Sequence, residues 1–194
     1  MLNELVSSIN SAVSGANANV VEKEGTQSVI FIESANILEV CKHLKSNEGV
    51  KVLEVITGCD FEDRIEVSYV LATFDPQNNK EFILKTKLAK NGADHTPEID
   101  SVCEVWKAAN WQERECYDMV GVQFNNHPDL RRILCPEDWE GFPLRKGYKV
   151  AEKYHHMVIN PMDKMNISER ETAGHLTARF LKNQSTAPEQ TTQD

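Results

Sequence analysis

The chain has 194 residues, a formal charge of −9, 40% hydrophobic and 26% charged residues, which suits one ordinary globular domain with a real core. The acidic excess and the lack of a concentrated basic face exclude a nucleic-acid binder, because phosphate recognition needs clustered Lys and Arg. The longest apolar runs, Val29–Ile32 and residues 69–72, fall far short of the roughly 18–20 residues that span a bilayer, so membrane association is expected only through partners.

MLNELVSSIN has no basic residue before its apolar positions and meets Glu4 at once, which argues against a signal peptide. Leu2, Leu5, Val6, Ile9 and Val13 line one face of a predicted helix over 1–13. Two β-like runs, 19–24 and 28–33, follow with Gly25 between them as the turn. Ser34 is placed to cap a helix with the stripe Ile37, Leu38, Cys41 and Leu44, ending near Gly49. Residues 50–57 and 64–74 are rich in Val and Ile. With 81–88 beyond the turn-rich DPQNNK (75–80), they read as an antiparallel meander.

Thr96-Pro97 opens another predicted helical stretch, with the stripe Val102, Val105, Trp106 and Ala109. Its phase slips at Asn110-Trp111, and a second helical phase through Cys116, Met119 and Val120 is stopped by Gly121. After residue 121 the punctuation His127-Pro128, Cys135-Pro136 and Phe142-Pro143 predicts loops with short elements, where binding residues tend to sit. Residues 168–181 are expected to form a last helix, and NQSTAPEQTTQD (183–194) a disordered tail. The fold class is α+β: a mostly antiparallel sheet with helices on one face (1–121), then a loop-rich C-terminal extension (122–182).

The five cysteines, Cys41, Cys59, Cys103, Cys116 and Cys135, are odd in number, widely spaced and without a C-x-x-C pair. They read as reduced thiols rather than zinc or cluster ligands. His155-His156 is a metal pair in name only, since adjacent side chains diverge on a regular element.

The stretch WQERECYDMVGVQFNNHPDLRRIL (111–134) concentrates charge and can be read two ways. As scaffold, Arg114 and Asp118 are i,i+4 neighbours that can pair. Glu113 is in phase with Cys116 and Val120 and is expected to be buried, so it needs a cation or several donors. Arg131, Arg132 and Arg145 are available downstream. Locally, Asn110 is placed as an N-cap, with Glu113 closing a capping box. As catalysis, Glu113, Glu115 or Asp118 would be a general acid/base partnered by His127. A stand-alone carboxylate/histidine hydrolase would use Glu115, Asp118 and His127. No nucleophile elbow, phosphate loop or H-E-x-x-H helix accompanies them, and the balance favours scaffold. CPEDWEGFPLRKGY (135–148) mixes Trp139, Phe142 and Tyr148 with Arg145 and Lys146. It suits either a protein interface or a small core of the loop's own.

ERECYDMVGVQFNNHPDLRRIL resembles the signature of the thirty-kilodalton, or C-type, subunit family of the respiratory NADH:quinone oxidoreductase, complex I. Glu113-Arg114-Glu115, Asp118, Met119-Val120, His127, Arg131 and Ile133-Leu134 stand at the family's spacings. GFPLRKGY is similar to the family element G-x-P-L-R-K-D-Y, with Gly147 where an aspartate is usual. The resemblance implies a peripheral-arm subunit on the cytoplasmic side of the bacterial inner membrane, or the matrix side if mitochondrial. It implies no flavin, iron–sulfur cluster or NADH site in this chain, these belonging to partner subunits. The 122–182 extension would dock to the forty-nine-kilodalton, D-type subunit and to cluster-bearing neighbours. Glu113, Arg114, Glu115, Asp118, His127, Arg131, Arg132, Arg145 and Lys146 would be the structural and interface motif. The matching subunit of a membrane-bound hydrogenase-type complex shares this module.

Overall fold

A computed structural model of the chain describes residues 2–21, 29–74, 81–92 and 95–159. The described residues begin with helix α1 (Leu2–Ala12), strands β1 (Asn19–Val21) and β2 (Val29–Ile32), and helix α2 (Ile37–Asn47). Strands β3 (Val50–Asp60), β4 (Arg64–Thr73), β5 (Glu81–Ala89) and β6 (Glu98–Asp100) follow. Helix α3 (Ala109–Val120) and strands β7 (Gln123–Asn125), β8 (Lys153–Tyr154) and β9 (Met157–Val158) complete them. The chain divides into two compact units, the first ending at Tyr148 and the second starting at Lys149. The expected turn at Gly25, the DPQNNK connection, the helix over 168–181 and the terminal tail lie outside the described residues.

The predicted α+β class is the observed one. The main sheet has the order β1-β2-β5-β4-β3, with β1–β2, β4–β5 and β3–β4 antiparallel and β2–β5 parallel. The meander β3-β4-β5 follows from period-2 burial: on β5, Phe82, Leu84, Thr86 and Leu88 are buried on alternate positions. The one parallel pair of this sheet arises because α2 separates β2 from the meander. Helices form where apolar spacing is helical: Ile37, Val40, Cys41 and Leu44 are all fully buried on α2. Each buried Ile or Leu of such a core contributes about 1.5–3 kcal/mol before chain entropy is subtracted. Cys41 of α2 and both Glu113 and Cys116 of α3 lie near the buried hydroxyl of Tyr69 on β4. Both helices therefore pack on the Tyr69 face.

Two local expectations are corrected. Ser34 does not cap α2; Ser34–Asn36 form one 3-10 turn and the helix starts at Ile37 with no side-chain cap. The helix predicted from Thr96 does not form either. Glu98–Asp100 instead pair in parallel with Gln123–Asn125 as β6–β7, and turns carry the chain through 103–108 to α3. Val102, Val105, Trp106 and Ala109 are buried as the stripe required, but the turns before α3 and its first residue deliver them, because the strand partner lies beyond α3.

At Gly58 the backbone of β3 lies close against α3. A Cβ built there would lie 2.7 Å from Cys116 Sγ and 3.3 Å from two Val120 atoms, the close backbone approach that an isolated strand glycine signals. Gly58→Ala should cost about 1–3 kcal/mol by overpacking. Urea unfolding of the full chain measures it, and an unchanged midpoint would mean α3 does not sit this close.

In the second unit β8 and β9 form a two-residue hairpin whose tip is His155-His156, both exposed. The His155 ring meets Tyr154 edge-on at 4.3 Å between centroids. Among the described residues no helix is long and apolar enough to cross a membrane.

Candidate functional site

α3 carries the charged motif, and its phase decides which side chains turn inward. Glu113, Arg114, Cys116, Asp118 and Val120 are buried, while Glu115 is exposed. The helix ends at Gly121, whose φ of 77° and ψ of 43° place it in the left-handed region; its N–H donates to the carbonyls of Cys116 and Tyr117. This is the C-terminal glycine stop that the sequence predicts. The N-terminus differs: Asn110 lies inside the helix and Ala108 occupies the cap position without a side-chain bond. Glu113 therefore closes no capping box.

Glu113 reaches across to the segment after β6. Its Oε2 takes the Ser101 hydroxyl at 2.6 Å and its Oε1 the Val102 N–H at 2.8 Å. Cys103 Sγ lies 3.4 Å from Oε2, and His127 Nε2 is 3.9 Å away. Burial pushes the carboxyl above its usual range, against the Ser101, Val102 and Cys103 donors.

His127 is committed elsewhere. Its Nδ1 accepts the Asp129 N–H at 3.0 Å, so the ring proton sits on Nε2 and is donated to the Asn110 carbonyl at 3.1 Å. Burial holds the ring below its ordinary value, Arg114 adds to this, and the Asn110 bond opposes it. Cys103, Glu113 and His127 do bring three ligand-type atoms within 4.8 Å of one another. Metal binding at Nε2 would need a lone pair there while Nδ1 stays unprotonated to accept Asp129, which a neutral imidazole cannot supply. The arrangement fits a hydrogen-bonded clasp better than a metal centre.

Asp118 organises the loop beyond β7. Its Oδ2 accepts three successive amides, Ile133 at 3.0 Å, Leu134 at 2.6 Å and Cys135 at 2.9 Å, and its Oδ1 pairs with Arg132 at 2.7 Å. Burial disfavours the charge, but the amides of Cys135, Leu134 and Ile133 with Arg132 outweigh it, holding the carboxyl below its usual value. A carboxylate in the last turn of a helix also opposes the helix dipole, so these donors are needed. The expected Arg114–Asp118 pair is not made. Arg114 is 4% exposed, donates through Nε to the Arg131 carbonyl at 3.2 Å, and lies over the Trp111 ring at 4.8 Å.

Arg132 continues the network to the Trp139 and Gly141 carbonyls, each at 3.0 Å. Arg145 closes the end of α3: Nε donates to the Val120 carbonyl at 2.7 Å and Nη2 to that of Gly121 at 3.1 Å. A cation there satisfies orphan helix carbonyls and suits the dipole. Both guanidinium groups lie against the Phe142 ring, Arg132 at 5.3 Å and Arg145 at 4.6 Å from its centroid. Trp139 Nε1 donates to the Tyr148 hydroxyl at 3.0 Å, and the rings of Trp139, Phe142 and Tyr148 are all half-buried.

Arg131 stays outside, paired with Asp129 at 2.9 Å with both largely exposed, a pair worth little. Lys146 is exposed, and its backbone N–H donates to Asp60 Oδ2 at 3.0 Å. Asp60, buried and ion-paired to Lys90 at 2.6 Å, was not anticipated from the sequence; neither was Ser101. Both act on residues that are distant in the chain, and only the isolated Gly58 of TGCD hinted at contact near Asp60. Gly147 faces open space, with nothing within 4 Å of an added Cβ.

Comparison with known proteins agrees with this motif. The model of the family described as respiratory-chain NADH dehydrogenase, 30 Kd subunit, matches residues 30–154. The C subunit of NADH-quinone oxidoreductase from Chloroherpeton thalassium is 48% identical over 105 residues, covering 54% of this chain and 42% of that protein. Its counterpart in Chlorobium phaeobacteroides is 61% identical over 76 residues, 39% of this chain and 43% of that one. The corresponding protein of Geobacter metallireducens is 42% identical over 123 residues, 61% of this chain and 72% of its own. The match thus spans less than half the length of the first two relatives. The fold also resembles a chain of the membrane-bound sulfane sulfur reductase, an archaeal respiratory membrane complex. The TM-score is 0.63 at 19% identity, with 84% of this chain and 96% of the other covered. With the family model matched over most of its length and the motif placed on α3 and the loop it organises, the chain belongs to the 30 Kd subunit family of respiratory-chain NADH dehydrogenase.

Proposed function

We propose that the chain is a peripheral-arm subunit of a proton-translocating NADH:quinone oxidoreductase that carries no cofactor of its own. It supports electron transfer from NADH through iron–sulfur clusters to quinone by docking to the forty-nine-kilodalton subunit and to cluster-bearing neighbours. Flavin and clusters reside in those partners. The chain sits on the cytoplasmic side of the inner membrane, or the matrix side in a mitochondrion, and reaches the membrane only through the complex. The relatives named as C subunits of NADH-quinone oxidoreductase favour this over a hydrogenase-type assembly.

The observation that carries the docking reading is the division of labour around α3. The motif's buried side chains are spent on internal partners, whereas Trp111, Leu134 and Leu144 on the helix and the loops it anchors are 64%, 62% and 63% exposed. Large apolar groups around an ordered polar frame suit an interface. Glu115, Asp118 and His127, the hydrolase set, point to different surroundings: solvent, the 132–135 loop and Asn110. Affinity capture of the tagged chain from gently solubilised host membranes tests the proposal. Flavin and iron–sulfur absorbance should co-elute with inhibitor-sensitive NADH:quinone activity. A colourless, solitary chain would overturn it, and hydrolytic turnover by that pure chain would favour the other reading.

A further inference from the structure

Glu113 is fully buried, yet the basic nitrogen within ion-pair distance among the described residues is His127 Nε2, at 3.9 Å. That ring is no counter-ion, because accepting the Asp129 N–H at Nδ1 keeps it neutral. The other groups that face Glu113 are uncharged as well. Ser101 and Cys103 come from the segment after β6, Cys41 from α2, Tyr69 from β4 and Cys116 from α3 itself. The Tyr69 hydroxyl is buried without a hydrogen-bond partner, so it offers no compensation.

The two carboxyl oxygens are also unequal. Oε1 accepts a backbone N–H, from Val102 at 2.8 Å, which is what a carbonyl oxygen does. Oε2 lies 2.6 Å from the Ser101 hydroxyl oxygen. A proton on Oε2 would be donated to Ser101 Oγ, which still accepts the Cys103 N–H at 3.1 Å. The neutral acid thereby buries no charge and keeps the Val102 and Cys103 amides bonded, while the Ser101 hydroxyl proton gives up the acceptor it has on the ionised form. The ionised form keeps the same geometry but leaves a negative charge among apolar and neutral groups, held by three donors alone.

We infer that Glu113 is a buried proton-binding latch: protonated, it holds residues 101–103 closed on α3, and loss of that proton loosens them. Burial moves its affinity for the proton in this direction. The folded chain then binds the proton more tightly than the unfolded one. Closure is complete below the ordinary glutamate range, and it weakens as pH rises through the raised folded value. The clasp of His127 on Asn110, one helical turn before Glu113, places the same end of α3 under this control. The latch does not depend on which partner the subunit docks to.

Hydrogen exchange of the full chain, corrected for the intrinsic pH dependence of amide exchange, tests this at Val102 and Cys103 from about pH 5 to about pH 9. Protection should fall above the folded value, by up to about tenfold per pH unit for one proton. Glu113→Gln keeps an acceptor for Val102 and carries no charge, so its protection should be flat with pH. Flat protection in the unaltered chain would overturn the inference. Should Glu113→Gln not fold, infrared spectra of the unaltered chain decide at a pH where exposed carboxyls are ionised. A protonated-carboxyl C=O band there supports the latch, and its absence overturns it.

Discussion

Replacing Asp118 with alanine is expected to lower the unfolding free energy by about 3–5 kcal/mol, the cost of breaking a buried hydrogen-bonded ion pair. The effect is large because one carboxylate serves four donors. Its loss strands the successive amides of Ile133, Leu134 and Cys135 and leaves Arg132, whose side chain is 11% exposed, with only carbonyl acceptors. The same residue sets an acid limb. The folded carboxyl loses its proton more readily than the unfolded one, so its stabilisation is present above the unfolded value of about 3.9 and is lost as pH falls through the lower folded value. His127, held below its ordinary value, adds a loss that begins as pH falls below about 6.5. Glu113 works in the opposite sense, losing stability toward high pH. Urea unfolding at several pH values separates them: Asp118→Ala should be weaker at neutral pH and lose its share of the dependence below about pH 4. A neutral-pH loss under about 1 kcal/mol would place the carboxylate among exposed pairs instead.

Gly121→Ala should cost about 2–5 kcal/mol, from two sources that act together. The left-handed φ of 77° is worth roughly 1–2 kcal/mol against any side chain with a Cβ. A Cβ there would also lie 2.5 Å from two Phe142 ring atoms and 2.6 Å from Arg145 Nη2. Phe142 cannot retreat easily, because Arg132 and Arg145 lie against its ring and it meets Tyr117 edge-on at 6.3 Å. Overpacking of this kind costs about 1–3 kcal/mol. Protease cleavage within 135–148 should therefore rise along with the fall in urea midpoint. Gly147→Asp, which restores the family's usual residue in open space, is the control and should stay within about 0.5 kcal/mol. Equal behaviour of the two variants would mean that the 142–148 loop is not seated on Gly121.

Much of the fold was legible because periodicity is a local property. The stripe at Ile37, Cys41 and Leu44 marked α2, and the β-branched runs marked β3 and β4 close to their observed limits. The phase of Glu113 with Cys116 and Val120 foretold its burial, and Gly121 the helix end. Residues 96–108 misled because buried residues three and four apart also arise in successive turns when a strand partner pins them. Here that partner, β7, lies beyond α3.

The sequence by itself determined the order and type of the elements from α1 to β5 and the helix α3, the family to which the motif belongs, and which face of α3 turns inward. All of these depend on residue spacing along a single segment. The tertiary structure alone decided the partners. Glu113 meets Ser101 rather than an arginine, Asp118 takes Arg132 in place of Arg114, and Asp60 anchors the Lys146 amide 86 residues away. A buried charge must be satisfied, and the sequence states that need plainly. Which donor meets it is settled by the path of the loops that fold back over the helix, and several arginines were equally eligible until that path was known.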